Sequence, residues 1–442
     1  MEGQERRRLW RETARIFRRR LLPGARRQDM LLPRLLGHVD PATTDGITAN
    51  GGFSPRENVM LDFSFTEEQE LLRKMLRQFS LNELLPHYGC WDKTRQYPHE
   101  QIRKTLALVN PYGNNWRKAA EHPDLIAAGI VAEEIGRGDF NCVLPSLSPF
   151  ILNFFLAEAS EELKERWFPG LMAGEKVIGL CLTEPNAGSD LASMRSSARR
   201  DGDEYVLNGE KNSVSFVNAD VFYVFARTGS ESTGYRGISA FLVPRETEGL
   251  TFSEYNDMGC KAVPRGQLFM TDARVPAAAM VGSEGNAFKM IMKYLDINRA
   301  FIGLMCLGAA AQTLDETIRY VKEKQAFGLP IGRFQGVAFP IAEAATLLEM
   351  ARLLCYKILW KRQNGLACAL EGAMAKWWAP KTCVEVIHEC LLLHGHYGYT
   401  DEFPIEQRLR DVIGWQIGDG TPQIQKLIIS RLLLGKDFGP AV

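Results

Sequence analysis

The spacing of apolar residues changes twice along the chain, and no other feature constrains the fold more. From about residue 66 to 174, apolar residues recur at intervals of three and four, the spacing of amphipathic helices. From about 176 to 276, short apolar runs bounded by Gly and Pro are typical of β-strands. From about 285 the helical spacing returns and continues to the end. The sequence therefore predicts a mostly α protein with a middle β domain.

These changes divide the 442 residues into four predicted parts. They are an extension and linker (1–59), an N-terminal helical domain (60–175), a middle β domain (176–285) and a C-terminal helical bundle (286–442). The first 30 residues hold ten Arg against four acidic residues, and the linker is rich in Gly, Pro, Thr and Asn. We interpret the extension as poorly ordered. An organelle-targeting segment and a contact for an anionic partner are the alternatives for its Arg-rich start.

Local signals predict where several elements turn or end. Asn208-Gly209 lies between strand-like flanks and predicts a β-hairpin turn. The helical pattern 286–326 gives way to a Gly/Pro turn near residues 327–328, and the next helix begins near residue 335. The pattern 367–394 stops at a glycine, which can cap the C-terminus of a helix.

The charge balance and the cysteines limit the partners and the compartment. Lys plus Arg equal Asp plus Glu at 53 each, so no overall field attracts nucleic acid or a membrane surface. No uninterrupted apolar run is long enough to cross a bilayer. The nine cysteines form no C-x-x-C pair, and His394-x-His396 has no third ligand nearby, so we expect no disulfide framework and no metal site. A reducing compartment fits best: the cytoplasm, or the mitochondrial matrix if the Arg-rich start is a targeting segment.

Three segments carry residues suited to chemistry. Residues 179–190, G-L-C-L-T-E-P-N-A-G-S-D, leave a strand and enter a loop whose hydroxyls and backbone N–H groups suit a ring edge or a phosphate. Residues 320–335 connect two helices through a Gly/Pro turn. Residues 413–426, I-G-W-Q-I-G-D-G-T-P-Q-I-Q-K, hold one Asp between two glycines, and a short acid can act as a general base where a pocket excludes water. Taken singly, the three also fit a surface loop, a helix connection and a turn.

Together with their spacing and the α–β–α layout, these segments resemble the acyl-CoA dehydrogenase flavoprotein family. The resemblance rests on F-T-E-E-Q-E-L-L-R-K, T-E-P-N-A-G-S-D, F-G-L-P-I-G-R-F-Q and G-T-P-Q-I-Q, and it covers residues 60 to about 438. It implies an N-terminal helical domain, a small β barrel-like domain and a C-terminal four-helix bundle. It also implies FAD as cofactor, an acyl-CoA thioester as substrate, a homotetramer, and an electron-transfer flavoprotein as electron acceptor.

The resemblance further implies the roles of individual residues. Asp419 stands where the family carries its catalytic base, which is usually Glu. The residues implied to bind FAD, some from a neighbouring subunit, are Leu182, Thr183, Gly188, Ser189, Ser215, Lys324, Phe327, Gln335, Leu392, Gly395, His396, Thr421 and Gln423. Those implied to bind substrate are Leu180, Ser189, Asp296, Arg299 and Gly420. The backbone N–H of Asp419 is expected to help hold the thioester carbonyl oxygen.

The base is one methylene shorter than the family's Glu. With the backbone fixed, the carboxylate withdraws by about one C–C bond, roughly 1.5 Å. A substrate that is bulky at its α and β carbons, such as a ring, restores the approach. The stretches L-L-L-H-G-H-Y-G-Y (391–399) and I-G-D-G-T (417–421) resemble the alicyclic branch, the cyclohexane-carboxyl-CoA dehydrogenases. We therefore predict a cyclic or branched acyl group.

Two other departures keep alternatives open. Ser213 replaces a Trp beside the flavin and leaves one flavin face less shielded, while Lys324 replaces an Arg and loses its bidentate fork. The alternatives are a short- or branched-chain acyl-CoA dehydrogenase, a flavin oxidase or monooxygenase on the same fold, and a non-catalytic acyl-CoA-binding partner.

Overall fold

Six α-helices precede the sheet in the computed structural model, which describes residues 64–109, 115, 117, 124–143 and 149–435. They are α1 (Glu67–Phe79), α2 (Tyr88–Thr94), α3 (His99–Val109), α4 (Leu125–Gly138), α5 (Pro149–Glu158) and α6 (Glu161–Met172). α1 buries one apolar face, and three acidic residues in its first turn favour its positive N-terminal end. The predicted extension, residues 1–59, lies outside the described residues.

A mixed sheet of eight strands follows the helices in the described chain. The strands are β1 (Ile178–Cys181), β2 (Ser197–Asp201), β3 (Glu204–Ser215), β4 (Val221–Arg227), β5 (Ile238–Pro244), β6 (Leu250–Glu254), β7 (Arg265–Pro276) and β8 (Met280–Val281). Their order is β6-β7-β3-β2-β4-β5-β8. β1 pairs in parallel with β4, along the same edge of β4 that pairs with β2. β4 is wholly buried because its edges are paired and its faces are covered by Phe154 of α5 and Phe252 of β6.

The hairpin predicted at Asn208-Gly209 is wrong, because both residues lie inside β3. The turn comes earlier, at residues 202–203, where Gly202 has a φ of +64°. Asn208 instead bonds across the sheet: its Oδ1 accepts from the backbone N of Asp272 at 2.9 Å. The register shifts between Leu207 and Gly209. Gly209 is required there since a Cβ would lie 2.4 Å from Ser196 Oγ.

Five long helices complete the described chain. They are α7 (Ala287–Glu323), α8 (Gln335–Gln363), α9 (Ala369–Leu393), α10 (Ile405–Ile417) and α11 (Pro422–Leu434). α7 packs against α4, α8 and α9, and it approaches α4 closely where a Cβ on Gly308 would lie 2.1 Å from the carbonyl oxygen of Glu133. α7 is long and apolar enough to cross a membrane, but its apolar window is entirely buried inside the protein, so it is a core helix. The mostly α fold with a middle β domain is confirmed.

The first bundle helix ends earlier than its pattern predicts. α7 stops at Glu323, and residues 325–330 form a small antiparallel hairpin, β9 (Gln325–Ala326) with β10 (Leu329–Pro330). Its two turn residues, Phe327 and Gly328, have φ values of +52° and +76°. Two consecutive positive φ values match the tight turns that join twisted strands. α9 does end before Gly395, whose φ is +61°, as the cap predicts.

α10 is bonded to both neighbouring domains, and this fixes the segment that follows it. Asp411 accepts from the Tyr88 hydroxyl at 2.7 Å and from the backbone N of Cys260 at 2.5 Å. The preceding residue, Arg410, forms an ion pair with Asp92 of α2 at 2.8 Å. Because α2 and the loop at Cys260 belong to different parts of the fold, these bonds hold the turn after α10 in a defined place.

Candidate active site

Asp419 lies on a tight turn between α10 and α11. Its φ is +55°, a left-handed conformation that Asp tolerates better than most residues, and the φ of Gly420 is +102°. A Cβ on Gly420 would lie 2.4 Å from Gln425 Nε2, so this position needs glycine. Thr421 then caps α11, since its hydroxyl accepts from the backbone N of Ile424 at 3.4 Å. The local backbone conformation and the helix cap therefore account for each residue of the D-G-T motif.

Two buried side chains hold this turn from beneath. Lys376 of α9 donates from Nζ to the carbonyl oxygens of Trp415 at 2.8 Å and Gly420 at 3.2 Å. Gln425 of α11 donates to the same Gly420 oxygen at 3.2 Å. Both side chains are fully buried. Burial lowers the pKa of Lys376 to about 8, and the nearby Asp419 carboxylate opposes that shift.

The Asp419 carboxylate faces α7. Asn298 donates from Nδ2 to Asp419 Oδ2 at 2.7 Å. Desolvation raises the pKa of Asp419 above its ordinary range, while Lys376, the Asn298 amide and Arg299 oppose the rise. Asp419 is exposed in the single chain, and an occupant of the site would remove the remaining water from its carboxylate.

A partly buried ion pair lies near Asp419. Arg299 donates from Nη1 to Asp296 Oδ1 at 2.7 Å, and Arg299 is 5% exposed. Its Nε has no hydrogen-bond partner within the described residues. Desolvation raises the pKa of Asp296, and the Arg299 charge opposes the rise. Asp296, Arg299, Asp419 and Gly420, four of the predicted substrate-site and catalytic residues, therefore lie in one charged cluster.

A second group of predicted residues surrounds the end of β1. The carbonyl oxygen of Thr183 accepts from the backbone N of Asn212 at 2.8 Å, which places residues 182–183 beside β3. The following loop is anchored by Glu184, which pairs with the buried Lys211 at 2.7 Å. The members of the group are Leu180, Leu182, Thr183 and Ser215, which are half-buried, and Gly188 and Ser189, which are exposed.

A third group covers the surface where α7 and α9 end. Tyr320 stacks on His394 with ring centroids 4.2 Å apart, and Lys324 Nζ lies 5.6 Å from the ring centroid of Tyr397. The predicted residues of this group are all exposed: Lys324, Phe327, Gln335, Leu392, Gly395 and His396. Phe327 is 95% exposed. Exposed aromatic surface of this kind is typical of a patch that meets another molecule.

Sequence reasoning missed Asn298, Lys376 and Gln425. Asn298 and Lys376 each interrupt an apolar stretch of a buried helix, I-N-R-A-F-I and A-M-A-K-W-W, and a polar residue in such a stretch needs a partner. That signal indicates burial with a partner but does not name the partner. Thr421 and Gln423 lie at the start of α11, directly after the Asp419 turn.

Comparison with known proteins identifies the family. Its N-terminal, middle and C-terminal domain models, each described as acyl-CoA dehydrogenase, match residues 66–175, 179–273 and 285–434. The short-chain-specific acyl-CoA dehydrogenase of Clostridium acetobutylicum is 33% identical over 377 residues, 84% of this chain and 99% of that protein.

Solved structures agree with this assignment. The butyryl-CoA dehydrogenase of Megasphaera elsdenii has a TM-score of 0.80 at 30% identity and covers 85% of this chain and 100% of its own. A chain from a structure described as the electron transferring flavoprotein of Acidaminococcus fermentans has a TM-score of 0.79 at 30% identity, with coverage of 85% and 100%. The chain described above belongs to the acyl-CoA dehydrogenase family of FAD-dependent enzymes.

Proposed function

We propose that this enzyme dehydrogenates an acyl-CoA thioester between its α and β carbons with Asp419 as the base. One observation carries the proposal: the Asp419 carboxylate, on a turn with a φ of +55°, faces α7 and is bonded by Asn298 on one oxygen. Desolvation raises its pKa, which brings the base closer to working pH and strengthens proton transfer. Lys376 and Arg299 keep it ionised before it accepts the proton.

The step at Asp419 follows from the acidity of the substrate. The α-proton of a thioester is weakly acidic, so the developing enolate oxygen needs preorganised donors. The backbone N–H of Asp419 would supply one donor while a carboxylate oxygen takes the proton. The electrons of the broken α C–H bond then form the new α,β double bond as the β-hydride leaves.

The residues implied to hold FAD fit such a group. Within the described part of the chain, the hydroxyls of Thr183, Ser189 and Ser215 have no hydrogen-bond partner, and Lys324 is in no ion pair. Thr183 and Ser215 would bind the ring edge, and Lys324 the pyrophosphate. When bound, FAD supplies the hydride acceptor, since no side chain can.

The proposed substrate carries a ring or a branch at its α and β carbons. The reason is the short base, which leaves roughly 1.5 Å to be filled by a bulkier acyl group. The runner-up is a short-chain acyl-CoA, which the similarity to the short-chain-specific and butyryl-CoA enzymes favours. We further propose a cytoplasmic homotetramer, whose subunits would cover the exposed third group, and an electron-transfer flavoprotein as acceptor, in line with the structure from Acidaminococcus fermentans.

An oxidase on the same fold is the second candidate, and Ser213 favours it. This small residue is exposed, with a φ of +53°, at a register shift in β3 where a larger side chain would shield the flavin. Oxygen uptake coupled to substrate turnover would support the oxidase over the dehydrogenase.

An anaerobic titration tests the proposal. The purified yellow protein is mixed with cyclohexanecarbonyl-CoA, butyryl-CoA and isobutyryl-CoA while the flavin spectrum is recorded. Bleaching by the ring substrate alone supports both the dehydrogenase and the short-base argument. Bleaching by butyryl-CoA alone keeps the reaction and rejects the ring. No bleaching by any of them rejects the dehydrogenation of these thioesters.

A further inference from the structure

Asn298 is a buried polar residue on a mostly apolar helix. It lies on α7 between Ile297 and Arg299, is 6% exposed, and has apolar neighbours along most of the helix. Asn lowers helix stability because its side chain competes for backbone bonds, and a buried amide is costly without a partner. The one partner that its Nδ2 has in the described structure is Asp419 Oδ2, at 2.7 Å.

This hydrogen bond gives the two carboxylate oxygens of Asp419 different roles. Oδ2 is occupied by the amide, so Oδ1 is left to accept a proton. The bond also fixes the plane of the carboxylate, which otherwise rotates freely about its last side-chain bond. A short base gains most from this restraint because it has little reach with which to correct a misplaced oxygen.

We propose that Asn298 is a positioning residue for the reaction: it fixes Asp419 through Oδ2 and reserves Oδ1 for the α-proton of the substrate. The inference rests on the proposed function, in which Asp419 is the base. During the step the α C–H bond breaks, the Oδ1–H bond forms, and the C–H electron pair enters the α,β double bond; FAD, when bound, would be the acceptor of the β-hydride. Asn298 keeps its donor bond throughout, since Oδ2 remains an acceptor in the neutral acid.

The charges around Asp419 set the expected pH effect. The groups that face it are Lys376 from α9 and Arg299 from α7, with Asp296 paired to Arg299 and Cys306 near Lys376. Beside these titratable groups, the Asn298 amide is a neutral hydrogen-bond donor that favours the ionised form of the Asp419 carboxylate. Removing the donor raises the pKa of Asp419, so the acid limb of the rate profile moves to higher pH.

The test uses the holoenzyme and two variants: Asn298→Leu, which has the same branching at Cγ, is somewhat larger and has no donor, and Asn298→Asp, which keeps the shape and adds a negative charge. Flavin reduction by the acyl-CoA that bleaches the wild type is followed by anaerobic stopped flow from pH 5 to 9. In both variants the rate of flavin reduction should fall by about tenfold or more, and the acid limb of its pH profile should move to higher pH. The substrate concentration at half-saturation should stay within about twofold of the wild-type value. Gln312→Ala, another buried polar change on α7, should match the wild type.

A second readout does not depend on turnover. Infrared difference spectra between the wild type and Asp419→Asn isolate the carboxyl band of Asp419, and its titration should move to higher pH in both Asn298 variants. Unchanged rates and an unchanged carboxyl titration in both would overturn the inference while leaving the base intact. Full flavin reduction by Asp419→Asn would instead reject the proposed function itself, so the two failures are distinguishable.

Discussion

Replacing Lys376 with Met removes a buried charge without opening a cavity. Lys376 Nζ is the donor to the carbonyl oxygens of Trp415 and Gly420, at 2.8 and 3.2 Å, and the side chain is fully buried. Met has a similar length, is flexible and carries no charge. The variant therefore separates the cost of burying an ammonium from the benefit of its two hydrogen bonds.

The two contributions to the free energy of unfolding nearly cancel at pH 7. Burial moves the pKa of Lys376 from 10.5 to about 8, and at about 1.4 kcal/mol per pKa unit the charged form costs about 3 kcal/mol. Met removes that cost but leaves the Trp415 oxygen unpaired, at about 1–3 kcal/mol. The Gly420 oxygen keeps Gln425 as donor. We expect Lys376→Met to change the free energy of unfolding by no more than about 2 kcal/mol at pH 7.

The contributions separate as pH rises. Between pH 8 and pH 10.5 the unfolded lysine still binds its proton and the folded one has lost it, so the unfolded state binds more protons and stability rises with pH. The wild type should therefore gain about 3 kcal/mol relative to Lys376→Met across this window.

Denaturant unfolding of both proteins at pH 7, 8.5 and 10 measures this difference. Lys381→Met is the matched control, since Lys381 lies on the same helix, is half-buried with its side chain 43% exposed, and is paired with Glu385. The control should track the wild type at every pH. Parallel curves for the wild type and Lys376→Met would refute the argument that Lys376 is buried as a cation.

Three further predictions concern the base and the bundle. Asp419→Asn should bind FAD and acyl-CoA but lose flavin reduction by at least about hundredfold, measured by anaerobic stopped flow; retained reduction removes Asp419 as base. Asp419→Glu should shift kcat/KM toward slimmer acyl chains, and an equal change for ring and linear substrates contradicts the steric argument. Glu316→Gln should lower stability by about 3 kcal/mol in denaturant, because the buried Arg408, bonded to Glu316 at 2.6 Å, is left without its counter-charge; an unchanged midpoint contradicts this.

Local signals in the sequence predicted the structure correctly where the backbone preference of the residue itself determines the conformation. The switch from helical to strand spacing and back produced the observed α–β–α order, and Gly395 ends α9 as its lack of a Cβ allows. The D-G-T-P letters predicted a turn, and the positive φ of Asp419 and the capping hydroxyl of Thr421 explain it.

The same kind of signal failed at Asn208-Gly209 because neighbouring strands overrode it. β2 and β7 pair with β3 on its two edges, so the chain continues as a strand through this dipeptide and absorbs Gly209 as an irregularity. A hairpin turn there would have lost those cross-strand bonds. Turn propensity is worth less than the pairing that tertiary contacts supply.

By itself the sequence determined that a short acid stands on a turn before the last helix, and its motifs indicated the family. Only the tertiary structure decided what surrounds that acid. Asn298 comes from 121 residues earlier in the chain, and Lys376 reaches the turn across 44 residues. Such partners carry no spacing rule, because α7 and α9 bring them to Asp419 only when the bundle packs. The protonation and orientation of the carboxylate depend on those packed neighbours, which a linear pattern does not contain.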